Sequence, residues 1–441
     1  MAVAFGTDGI RGAANVELTA EVALSLGRAA CGVLGTGTWL IGADTRASGP
    51  MLVAALAAGL ASAGADVVDL GVLPTPGVAF HAQARGCPAA VVSASHNPWT
   101  DNGIKLLATG GRKLTDALEH AIAVNLTAPD RRPSSAVGRI ARAADPVRPY
   151  VEHLVAALEG RRLDGMRVVL DCANGAASAI APRVLAEVGA SVTALHDAPD
   201  GVNINDGCGS TDPSELARVV AESGADLGLA LDGDADRVIA VDGAGEIVDG
   251  DVLLAMFALD LAGRGELSAN TVAVTVMTNL GFRLAMEARD IAVLETDVGD
   301  RHVLAALDAG GLTLGGEQSG HIIFRSLSTT GDGVLTGLAL ADLMVRRGEG
   351  LATLAAGLVE RVPQRLVNVR VAKPERLADC AEVWEAVVKA EAELGHAGRV
   401  LLRPSGTEPM VRVMVESREA GQADAVAAQL AGIVKGALGG E

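Results

Sequence analysis

The sequence predicts an α/β protein of several domains, built on mixed, largely parallel sheets that are covered by helices. Short apolar runs alternate with stretches rich in Ala and Leu along most of the chain, a pattern typical of βαβ units. Several of the apolar runs are almost continuous Val, Leu and Ala, as expected for strands that are buried on both faces. With 441 residues, the chain is also too long for one ordinary core.

The elements follow in chain order. A helix is predicted at 51–64, in MLVAALAAGLASAG. After residue 367 the apolar residues of the strands alternate more, which favours a smaller α+β unit that faces a ligand. The strands predicted before that point are 38–44, 65–71, 88–95, 167–175, 190–196, 227–234, 271–279 and 291–297.

Changes in composition suggest four domains. The segment 127–149 is rich in Pro, Arg, Ser and Ala, which is typical of a connector, and a hairpin-like run, VIAVDGAGEIVDG, ends at Gly250. The strand pattern changes between 362 and 367. The predicted domains are therefore 1–149, 150–250 and 251–364, each α/β, and 365–441, which is α+β.

Composition and charge limit the classes of function. Hydrophobic residues make up 49% and charged residues 20% of the chain, which is a globular composition. The net charge is −18 and no basic run is present, so we expect no nucleic-acid partner. The five cysteines are odd in number and widely spaced, and none forms a CxxC pair. This pattern predicts neither a disulfide framework nor a zinc site, and it favours a reducing compartment.

The N-terminus lacks a basic segment followed by an apolar core, so we expect no signal peptide. The longest apolar stretches are too short to cross a bilayer. A cytoplasmic protein without a membrane partner is therefore expected.

The segment VVSASHNPWTDNGIKL (91–106) places hydroxyls directly after an apolar run. In open α/β sheets, ligands bind at the ends of strands, so Ser95 is a candidate for covalent chemistry, with His96 and Lys105 nearby. Two plainer interpretations stay open. Ser95 could cap a helix, and His96 could serve only as a hydrogen-bonding residue of the loop.

Asp232, Asp234 and Asp236 follow the apolar run LGLAL. Alternate positions on an extended or loosely turned segment can direct three carboxylates to one point, and such oxygens suit Mg²⁺. A calcium-binding helix-loop-helix does not fit, because its twelfth position would be Gly243 and the preceding segment reads as a strand. An Asp-rich turn without a metal is the alternative.

Three other segments combine glycine with polar side chains. LRPSGTEPMVR (402–412) places small donors between two arginines, an arrangement that suits a phosphate. GGEQSGH (315–321) offers Glu317, Gln318 and Ser319 for hydroxyls or an amine, and FGTDGIRG (5–12) contains an arginine. Each of these segments could also be an ordinary turn, and His321 could be only a hydrogen-bonding loop residue.

Several enzyme classes are not supported. The chain has no GxSxG elbow, no GxxxxGK[ST] loop and no GxGxxG after a strand. A serine, a three-Asp metal site and arginine-bearing loops together favour phosphoryl transfer to and from Ser95. In that chemistry the metal and Lys105 would neutralise the charge of the moving phosphoryl group.

These motifs, in this order, resemble those of the α-D-phosphohexomutase superfamily over essentially the whole chain. GADTRASG (42–49), GVLPTPGVA (71–79), GVNINDGCGST (201–211) and TTGDG (329–333) are also similar to that family. The resemblance implies three α/β domains and a C-terminal α+β domain around a central active-site cleft. It also implies one Mg²⁺ per site, a sugar 1,6-bisphosphate as primer or intermediate, and a small sugar phosphate as substrate; a homodimer is compatible with it.

The resemblance assigns a role to each motif. Ser95 would be the phosphoserine, and its phosphate would join the three Asp residues on the metal. Arg11 and Lys105 would assist proton transfer and charge neutralisation, and His96 would contact the phosphate side of the loop. The residues expected to bind substrate are Glu317, Ser319, His321, Asp300, Arg301, Arg403, Ser405, Gly406, Thr407 and Arg412.

Within the family, FGTDGIRG, GEQSGH and NINDGCGST favour the interconversion of glucosamine 6-phosphate and glucosamine 1-phosphate, which would supply precursors of the cell wall. The alternatives are the same reaction on mannose or glucose phosphates, a non-catalytic sugar-phosphate binding protein, and a phosphatase. Two positions depart from the family pattern. Asp297 stands where many members have Lys, and Asp212 stands where many have His.

Overall fold

The computed structural model describes Gly6 and residues 9–126, 136–405 and 409–439. Strands and helices alternate over most of these ranges. The strands are β1 (Ile10–Ala13), β2 (Thr38–Ala43), β3 (Asp66–Val72), β4 (Ala89–Val92), β5 (Asp101–Ala108), β6 (Arg112–Lys113), β7 (Ile140–Arg142), β8 (Arg167–Asp171), β9 (Ser191–Leu195), β10 (Leu227–Leu231), β11 (Val238–Asp242), β12 (Ile247–Val248), β13 (Thr271–Thr275), β14 (Ala292–Thr296), β15 (Leu314–Gly316), β16 (Ile322–Phe324), β17 (Gln364–Arg370), β18 (Gly398–Pro404) and β19 (Met410–Ser417). The helices are α1 (Ala20–Leu34), α2 (Gly49–Ser62), α3 (Thr75–Arg85), α4 (Asp116–Asn125), α5 (Val147–Ala156), α6 (Ala181–Glu187), α7 (Ser214–Ser223), α8 (Gly250–Gly263), α9 (Leu280–Glu287), α10 (Asp300–Gly310), α11 (Gly333–Arg347), α12 (Leu351–Ala355), α13 (Ala381–Leu394) and α14 (Ala420–Ala437).

The strands form four sheets. The first has the order β1-β5-β4-β2-β3-β7, with β6 paired to β5, and the second has the order β12-β11-β10-β8-β9. The third has the order β14-β13-β15-β16, and the fourth is β17-β19-β18. The first three contain parallel pairs joined through helices, whereas both pairs of the fourth are antiparallel. The predicted fold class, mixed and largely parallel α/β with a C-terminal α+β part, is confirmed.

The chain divides into two compact units. One consists of Met1–Thr275 with Leu294–Ala356, and the other of Val276–Val293 with Gly357–Glu441. The second unit thus contains α9 as well as the antiparallel sheet. The division into four domains at the predicted boundaries stays a prediction.

The core of the first sheet depends on a close approach of α1 and α2. A side chain at Gly27 would meet the carbonyl of Leu56 at 2.5 Å, and one at Gly59 would meet the carbonyl of Leu24 at 2.2 Å. Because neither glycine has a Cβ, the two backbones can pack directly, and Trp39 of the adjoining β2 is fully buried in the same core. This packing makes β2 and β4, which lie side by side, a rigid base for the loops that follow them.

Several strands end earlier than the sequence pattern suggests. β4 ends at Val92, β8 at Asp171 and β10 at Leu231, so Ser95 and Asp232 lie beyond their strands. The prediction also missed β5, an antiparallel strand between β1 and β4. The predicted connector 127–149 was partly wrong, because β7 within it pairs with β3 in parallel; residues 127–135 lie outside the described part.

None of the helices in the described ranges combines the length and the apolar character needed to cross a membrane.

Candidate active site

Ser95 occupies a constrained turn after β4. Its φ is +53°, in the left-handed region that non-glycine residues rarely adopt. Its backbone N–H donates to Ser93 Oγ over 2.9 Å, and the Ser93 hydroxyl donates to Asp44 Oδ2 over 2.6 Å. The strain of this conformation is therefore balanced by buried hydrogen bonds, as is common at functional turns.

Arg46 binds several backbone carbonyls of the Ser95 loop, and together with Asn205 it is called the clamp below. Its side chain is buried and pairs with Asp44 at 2.9 Å. Its Nη2 donates to the carbonyls of Ser95 and Asn97, over 2.9 Å and 2.7 Å. Its Nη1 donates to the carbonyls of Pro98 and Asp101. A guanidinium has enough donors in a fixed plane to bind several carbonyls at once, so Arg46 fixes the whole turn.

Asn205 binds the same loop from the second sheet. Its amide nitrogen donates to the carbonyls of Ser95 and Asn97, over 2.9 Å and 3.1 Å. The Ser95 turn is therefore held by side chains from two sheets.

The Ser95 hydroxyl points at the Asp232 carboxylate. Ser95 Oγ donates to Asp232 Oδ2 over 2.6 Å and lies 3.2 Å from His96 Nδ1. Arg237 Nη1 donates to the same Nδ1 over 3.2 Å. Burial, together with the charges of Arg237 and Arg11, lowers the pKa of His96 to about 4. The His96 ring is therefore neutral at neutral pH.

Asp232, Asp234 and Asp236 converge on one point, with one oxygen from each lying within 4.8 Å of the others. Lys105 Nζ lies 2.8 Å from Asp234 Oδ2 and 3.3 Å from Asp236 Oδ2. Burial and repulsion from the other two carboxylates hold the pKa of Asp232 well above its usual range. Burial would also raise the pKa of Asp236, but Lys105 and His321 hold it well below. The pKa values of Asp232 and Asp236 are therefore shifted in opposite directions.

The donor set fits a hard cation. Oδ1 of Asp234 and Oδ1 of Asp236 are both buried, and neither has a hydrogen-bond partner among the residues that the structure describes. Buried carboxylate oxygens without partners are costly, and a divalent ion that prefers oxygen ligands would satisfy them. The three predicted Asp residues thus lie together as a group that could bind a metal ion, and metal binding by them stays a prediction.

Thr75, the first residue of α3, adds another contact. Its hydroxyl donates to Asp234 Oδ2 over 2.6 Å, and its N–H donates to the carbonyl of Asp234 over 3.0 Å. The carboxylate thus has a fixed orientation, with Oδ2 bound by Thr75 and Lys105 and with Oδ1 left for another ligand.

The GEQSGH and TTGDG segments pack against the loop that carries Asp232, Asp234 and Asp236, called the Asp loop below. Val238 N–H donates to the carbonyl of Gly320 over 3.1 Å, and Gly333 N–H donates to the carbonyl of Ala235 over 2.9 Å. His321 is buried, and its Nε2 accepts from the Gly331 N–H over 2.9 Å. Four segments singled out in the sequence therefore contact the Asp loop: the Ser95 segment, GVLPTPGVA, GEQSGH and TTGDG.

Two predicted sugar contacts lie in the GEQSGH loop. Glu317 Oε1 accepts from the Gly299 N–H over 3.2 Å. Ser319 Oγ is buried and has no hydrogen-bond partner within the described part of the chain. A buried hydroxyl of this kind is suited to a ligand hydroxyl.

Asp300 and Arg301 are engaged in ion pairs. Lys113 Nζ lies 2.7 Å from Asp300 Oδ2, and Arg301 Nη1 lies 2.8 Å from Asp116 Oδ1 and 3.2 Å from Glu119 Oε2. His321 Nε2 lies 3.7 Å from Asp300 Oδ2. These contacts fix the start of α10, and a direct role of either residue in binding substrate stays a prediction.

Arg11 lies on β1, opposite Gly103 of the antiparallel strand β5. Lys105 is two residues further along β5, so the two cations are carried by neighbouring strands. The effect of Arg11 on the pKa of His96 shows that its charge reaches the Ser95 loop.

The second unit carries the remaining predicted contacts. Arg403 of β18 and Arg412 of β19 are cross-strand partners, and burial together with the charge of Arg412 lowers the pKa of Arg403. The Ser405 N–H donates to the carbonyl of Met410 over 2.9 Å. Two like charges opposite each other are a favourable place for an anion. Gly406 and Thr407 lie outside the described residues.

Sequence reasoning gave no role to Arg46, Asn205, Thr75 or Arg237. Each lies in or next to a segment that the sequence already singled out: GADTRASG, GVNINDGCGST, GVLPTPGVA and the run that holds Asp232, Asp234 and Asp236, DGDADR (232–237). A polar residue within each segment was the available signal. Its partner could not be known, since the partner lies in another part of the chain.

The two departures have local roles. Asp212 Oδ1 accepts from the Ser214 hydroxyl over 2.5 Å, next to the start of α7. Asp297 is exposed, and its carbonyl accepts from the Thr296 hydroxyl over 3.0 Å.

Comparison with known families matches the chain in four consecutive parts. All four models describe phosphoglucomutase/phosphomannomutase: α/β/α domain I at residues 2–132, domain II at 148–245, domain III at 249–362 and the C-terminal domain at 366–433. The chain belongs to the phosphoglucomutase/phosphomannomutase family. This α-D-phosphohexomutase membership confirms the resemblance found in the sequence and the predicted enzyme class, an isomerase.

Two relatives of this phosphohexomutase that match over almost their full length are both phosphoglucosamine mutases. A phosphoglucosamine mutase from Kineococcus radiotolerans is 52% identical over 450 residues, which cover 99% of each chain. One from Saccharopolyspora erythraea is 53% identical over 438 residues, covering 98% of each chain.

Solved structures share the fold of this phosphohexomutase. A phosphoglucomutase/phosphomannomutase family protein from Burkholderia thailandensis has a TM-score of 0.81 at 26% identity, covering 99% of this chain and 98% of its own. An N-acetylphosphoglucosamine mutase from Aspergillus fumigatus, solved in complex with GlcNAc-6P and magnesium, has a TM-score of 0.70 at 19% identity. That match covers 98% of this chain and 96% of the fungal chain.

Proposed function

We propose that the protein interconverts glucosamine 6-phosphate and glucosamine 1-phosphate by passing a phosphoryl group through Ser95. The observation that carries this proposal is the 2.6 Å hydrogen bond from Ser95 Oγ to Asp232, inside a buried cluster of carboxylates and Lys105. The full-length relatives at 52% and 53% identity, both named phosphoglucosamine mutase, support the choice of sugar.

The reaction begins from phospho-Ser95. Oxygen O1 of glucosamine 6-phosphate attacks the phosphorus, the bond from phosphorus to Ser95 Oγ breaks, and the proton of the sugar hydroxyl ends on Ser95 Oγ. The product of this half-reaction is the 1,6-bisphosphate. After the sugar turns over, Ser95 Oγ attacks the 6-phosphoryl group, the bond from phosphorus to O6 breaks, and the Ser95 proton moves to O6. This step yields glucosamine 1-phosphate and regenerates phospho-Ser95.

The surroundings of Ser95 suit both half-reactions. The clamp formed by Arg46 and Asn205 keeps Oγ directed at Asp232, so little reorganisation is needed when the phosphoryl group arrives. Lys105 and Arg11 would neutralise charge at the reacting oxygen and assist the proton transfer. The neutral ring of His96 would contact the phosphate side of the loop, and Arg237 holds that ring in place.

We assign a single Mg²⁺ to Asp232, Asp234 and Asp236, with the phosphate of Ser95 as a further ligand. The partnerless oxygens of Asp234 and Asp236 support this assignment. When bound, the ion would neutralise the charge on the transferring phosphoryl group. Water has to be kept from the phosphoserine, or the enzyme would act as a phosphatase.

The other predicted contacts divide between the two ends of the substrate. Glu317, Ser319 and His321 would bind sugar hydroxyls, with Asp300 and Arg301 at the neighbouring helix start. Because the intermediate turns over within the site, the same hydrogen-bond donors must be able to bind either of its two phosphate groups. The residues assigned to the phosphate that is not reacting are Arg403, Ser405, Gly406, Thr407 and Arg412.

The nucleophile is tested with Ser95→Ala, assayed with a 1,6-bisphosphate primer. We expect turnover to fall by about four orders of magnitude or more, as for removal of other covalent nucleophiles. The intact mass of the wild-type protein should include one phosphoryl group, which Ser95→Ala should lack. The matched control is Ser178→Ala, because Ser178 is also buried but donates only to the carbonyl of Gly175 over 2.7 Å. Turnover of Ser95→Ala at the wild-type rate would overturn the proposal.

The sugar is tested by initial rates on the 6-phosphates of glucosamine, glucose and mannose, with primer and Mg²⁺ held constant. We expect glucosamine 6-phosphate to give the highest kcat/KM. If glucosamine 6-phosphate gave the lowest kcat/KM while Ser95 remained essential, the proposed substrate would be wrong and the proposed phosphoryl transfer through Ser95 would stand. Release of inorganic phosphate instead of an isomer would favour a phosphatase, and the absence of both isomerisation and phosphoserine would favour a binding protein.

A further inference from the structure

A second group of ligating side chains lies at the carboxyl edge of the sheet that carries the Asp loop. Asp171 is the last residue of β8, and His196 follows β9, whose Leu195 pairs with Asp171. Cys208 comes just before the short helical turn Gly209–Thr211. One ligand atom from each of Asp171, His196 and Cys208 lies within 4.8 Å of the others.

The histidine ring points to a cation at this position. His196 Nε2 lies 3.3 Å from Glu215 Oε2, a contact that favours a ring proton on Nε2. His196 Nδ1 lies 3.1 Å from Asp171 Oδ1, but this buried nitrogen makes no well-formed hydrogen bond within the described ranges. A lone pair of Nδ1 facing a carboxylate oxygen is repulsive unless a proton or a metal ion lies between them.

The other two groups are buried and held in place. Asp171 Oδ1 accepts from the Ala173 N–H over 2.9 Å, and Oδ2 accepts from the Gly209 N–H over 2.8 Å. Asp171 and Cys208 are both completely buried. The second backbone bond ties the aspartate to the residue after Cys208, so carboxylate and thiol keep a fixed separation.

The donor types select the metal. A thiolate, an imidazole and a carboxylate are ligands of Zn²⁺, whereas Mg²⁺ prefers oxygen alone. A carboxylate behind a ligating histidine, as Glu215 lies behind His196, is the usual arrangement for orienting the ring. Three protein ligands are enough for zinc, which completes its shell with water or substrate.

We propose that Asp171, His196 and Cys208 bind one Zn²⁺ ion, separately from the Asp232, Asp234 and Asp236 site, with Glu215 orienting His196. The ion would brace the segment that holds the Ser95 loop. The link is Asn205, whose N–H donates to the carbonyl of Ala173 over 3.0 Å and whose side chain binds the Ser95 carbonyl. The site is thus one of structural support, and it takes no part in the chemistry at Ser95.

The test uses the full-length protein, freed of metal with a chelator and then supplied with excess Mg²⁺ to saturate the oxygen site. Co²⁺ is the probe, because a cysteine thiolate bound to it gives a charge-transfer absorption in the near ultraviolet. We expect this band to saturate at one equivalent of Co²⁺ and to disappear when Zn²⁺ is added.

Variants assign the ligands. Cys208→Ser should abolish the band, and Glu215→Gln should weaken Zn²⁺ binding by about 10-fold or more, the usual effect of losing an outer carboxylate. Cys87→Ser, which removes another buried thiol, should leave the band unchanged. Asp234→Asn should also leave it unchanged, because it alters only the oxygen site.

The competing interpretation is that His196 is protonated and simply pairs with Asp171 and Glu215. In that case neither a band nor retained Zn²⁺ would be found, and the proposal would be overturned. A band that persists in Cys208→Ser, or is lost in Asp234→Asn, would overturn it as well. If Cys208→Ser does not fold, His196→Gln decides by Zn²⁺ retention after dialysis, because this side chain is partly exposed and tolerates change more readily.

Discussion

Two groups of ligating side chains share one sheet edge and differ in almost everything else. The Asp232 group (Asp232, Asp234 and Asp236) follows β10. The Asp171 group (Asp171, His196 and Cys208) lies at the ends of β8 and β9 and beyond them. These three strands are parallel neighbours. The first offers three carboxylates balanced by Lys105, and the second offers a carboxylate, an imidazole and a thiol. The comparison teaches that the sheet sets where ligands gather, whereas the residue types after each strand set which ion suits them.

The two groups also differ in their distance from the reacting atom. Asp232 accepts a hydrogen bond directly from Ser95 Oγ. The Asp171 group is connected to the same loop through other residues, among them Ala173 and Asn205. Changes at the first group should therefore alter catalysis, and changes at the second should alter support.

The largest expected effect is removal of the hard cation. A metal acting on a phosphoryl oxygen contributes several kcal/mol, so chelation should lower kcat/KM by about 1000-fold. Mg²⁺ should restore the rate, and Asp232→Asn should make restoration impossible; steady-state kinetics measure both. Equal loss of kcat/KM in Asp171→Asn and Asp232→Asn would remove the distinction between the groups.

The next effect concerns Arg46, which holds the Ser95 loop together with Asn205. Arg46→Lys keeps the charge but loses the planar set of donors that binds several carbonyls. We expect kcat/KM to fall by about 10-fold to 100-fold, because small misplacement of a reacting group is costly. The control is Arg28→Lys, which alters an arginine of α1 that donates to the Ser62 hydroxyl of α2 over 2.9 Å. Unchanged kcat/KM in Arg46→Lys would show that Asn205 alone can fix the loop.

A smaller effect is expected behind the Asp232 group. Tyr150 donates to Asp332 Oδ2 over 2.7 Å, and both side chains are buried. Tyr150→Phe should reduce the free energy of unfolding by about 1–3 kcal/mol, since it leaves a buried acceptor without its donor.

The same pair gives this loss a pH dependence. Burial raises the pKa of Asp332 to about 6, above its unfolded value, so its contribution to stability is present at low pH and is lost as the pH rises to about 6. The Tyr150 hydroxyl favours the ionised carboxylate. Urea unfolding at pH 5 and pH 8 should therefore show greater destabilisation of Tyr150→Phe at pH 8, and a constant difference would contradict this origin.

The smallest effect is expected beside the Asp171 group. Asp212 accepts from Ser214 at the start of α7, the helix that carries Glu215. Asp212→Ala should cost about 1 kcal/mol of stability, because Asp212 Oδ1 also accepts from the Ser214 N–H over 3.4 Å and both hydrogen bonds would be lost. It should lower Zn²⁺ affinity only slightly and leave kcat/KM unchanged, as measured by thermal unfolding, Co²⁺ titration and kinetics. A large loss of kcat/KM would show that this departure from the family pattern contacts substrate.

The convergence of the three Asp residues could be predicted because it is local. They lie within five residues after one strand, so their meeting follows from strand geometry alone. The placement of Ser95 after an apolar run followed in the same way, although the strand ends at Val92 and not at Ser95. The alternation of strands and helices likewise predicted the fold class.

The remaining features depend on pairings between distant parts of the chain. Lys105 reaches Asp234 because β5 turns back antiparallel to β4, a strand that the pattern did not reveal. The wide spacing of the cysteines predicted no zinc site. Cys208 lies near Asp171 and His196 only because β8 and β9 pair in the folded protein. Such contacts depend on register and sheet order, which periodicity does not encode.

Lys105 has a consequence for how the protein matures. Its ammonium group, salt-bridged to Asp234 and Asp236, supplies positive charge to the Asp loop before any ion arrives. We therefore expect the chain to fold without bound magnesium, unlike small zinc domains whose folding requires the metal. Supply of the ion would then regulate how fast existing molecules work, and not how many of them survive.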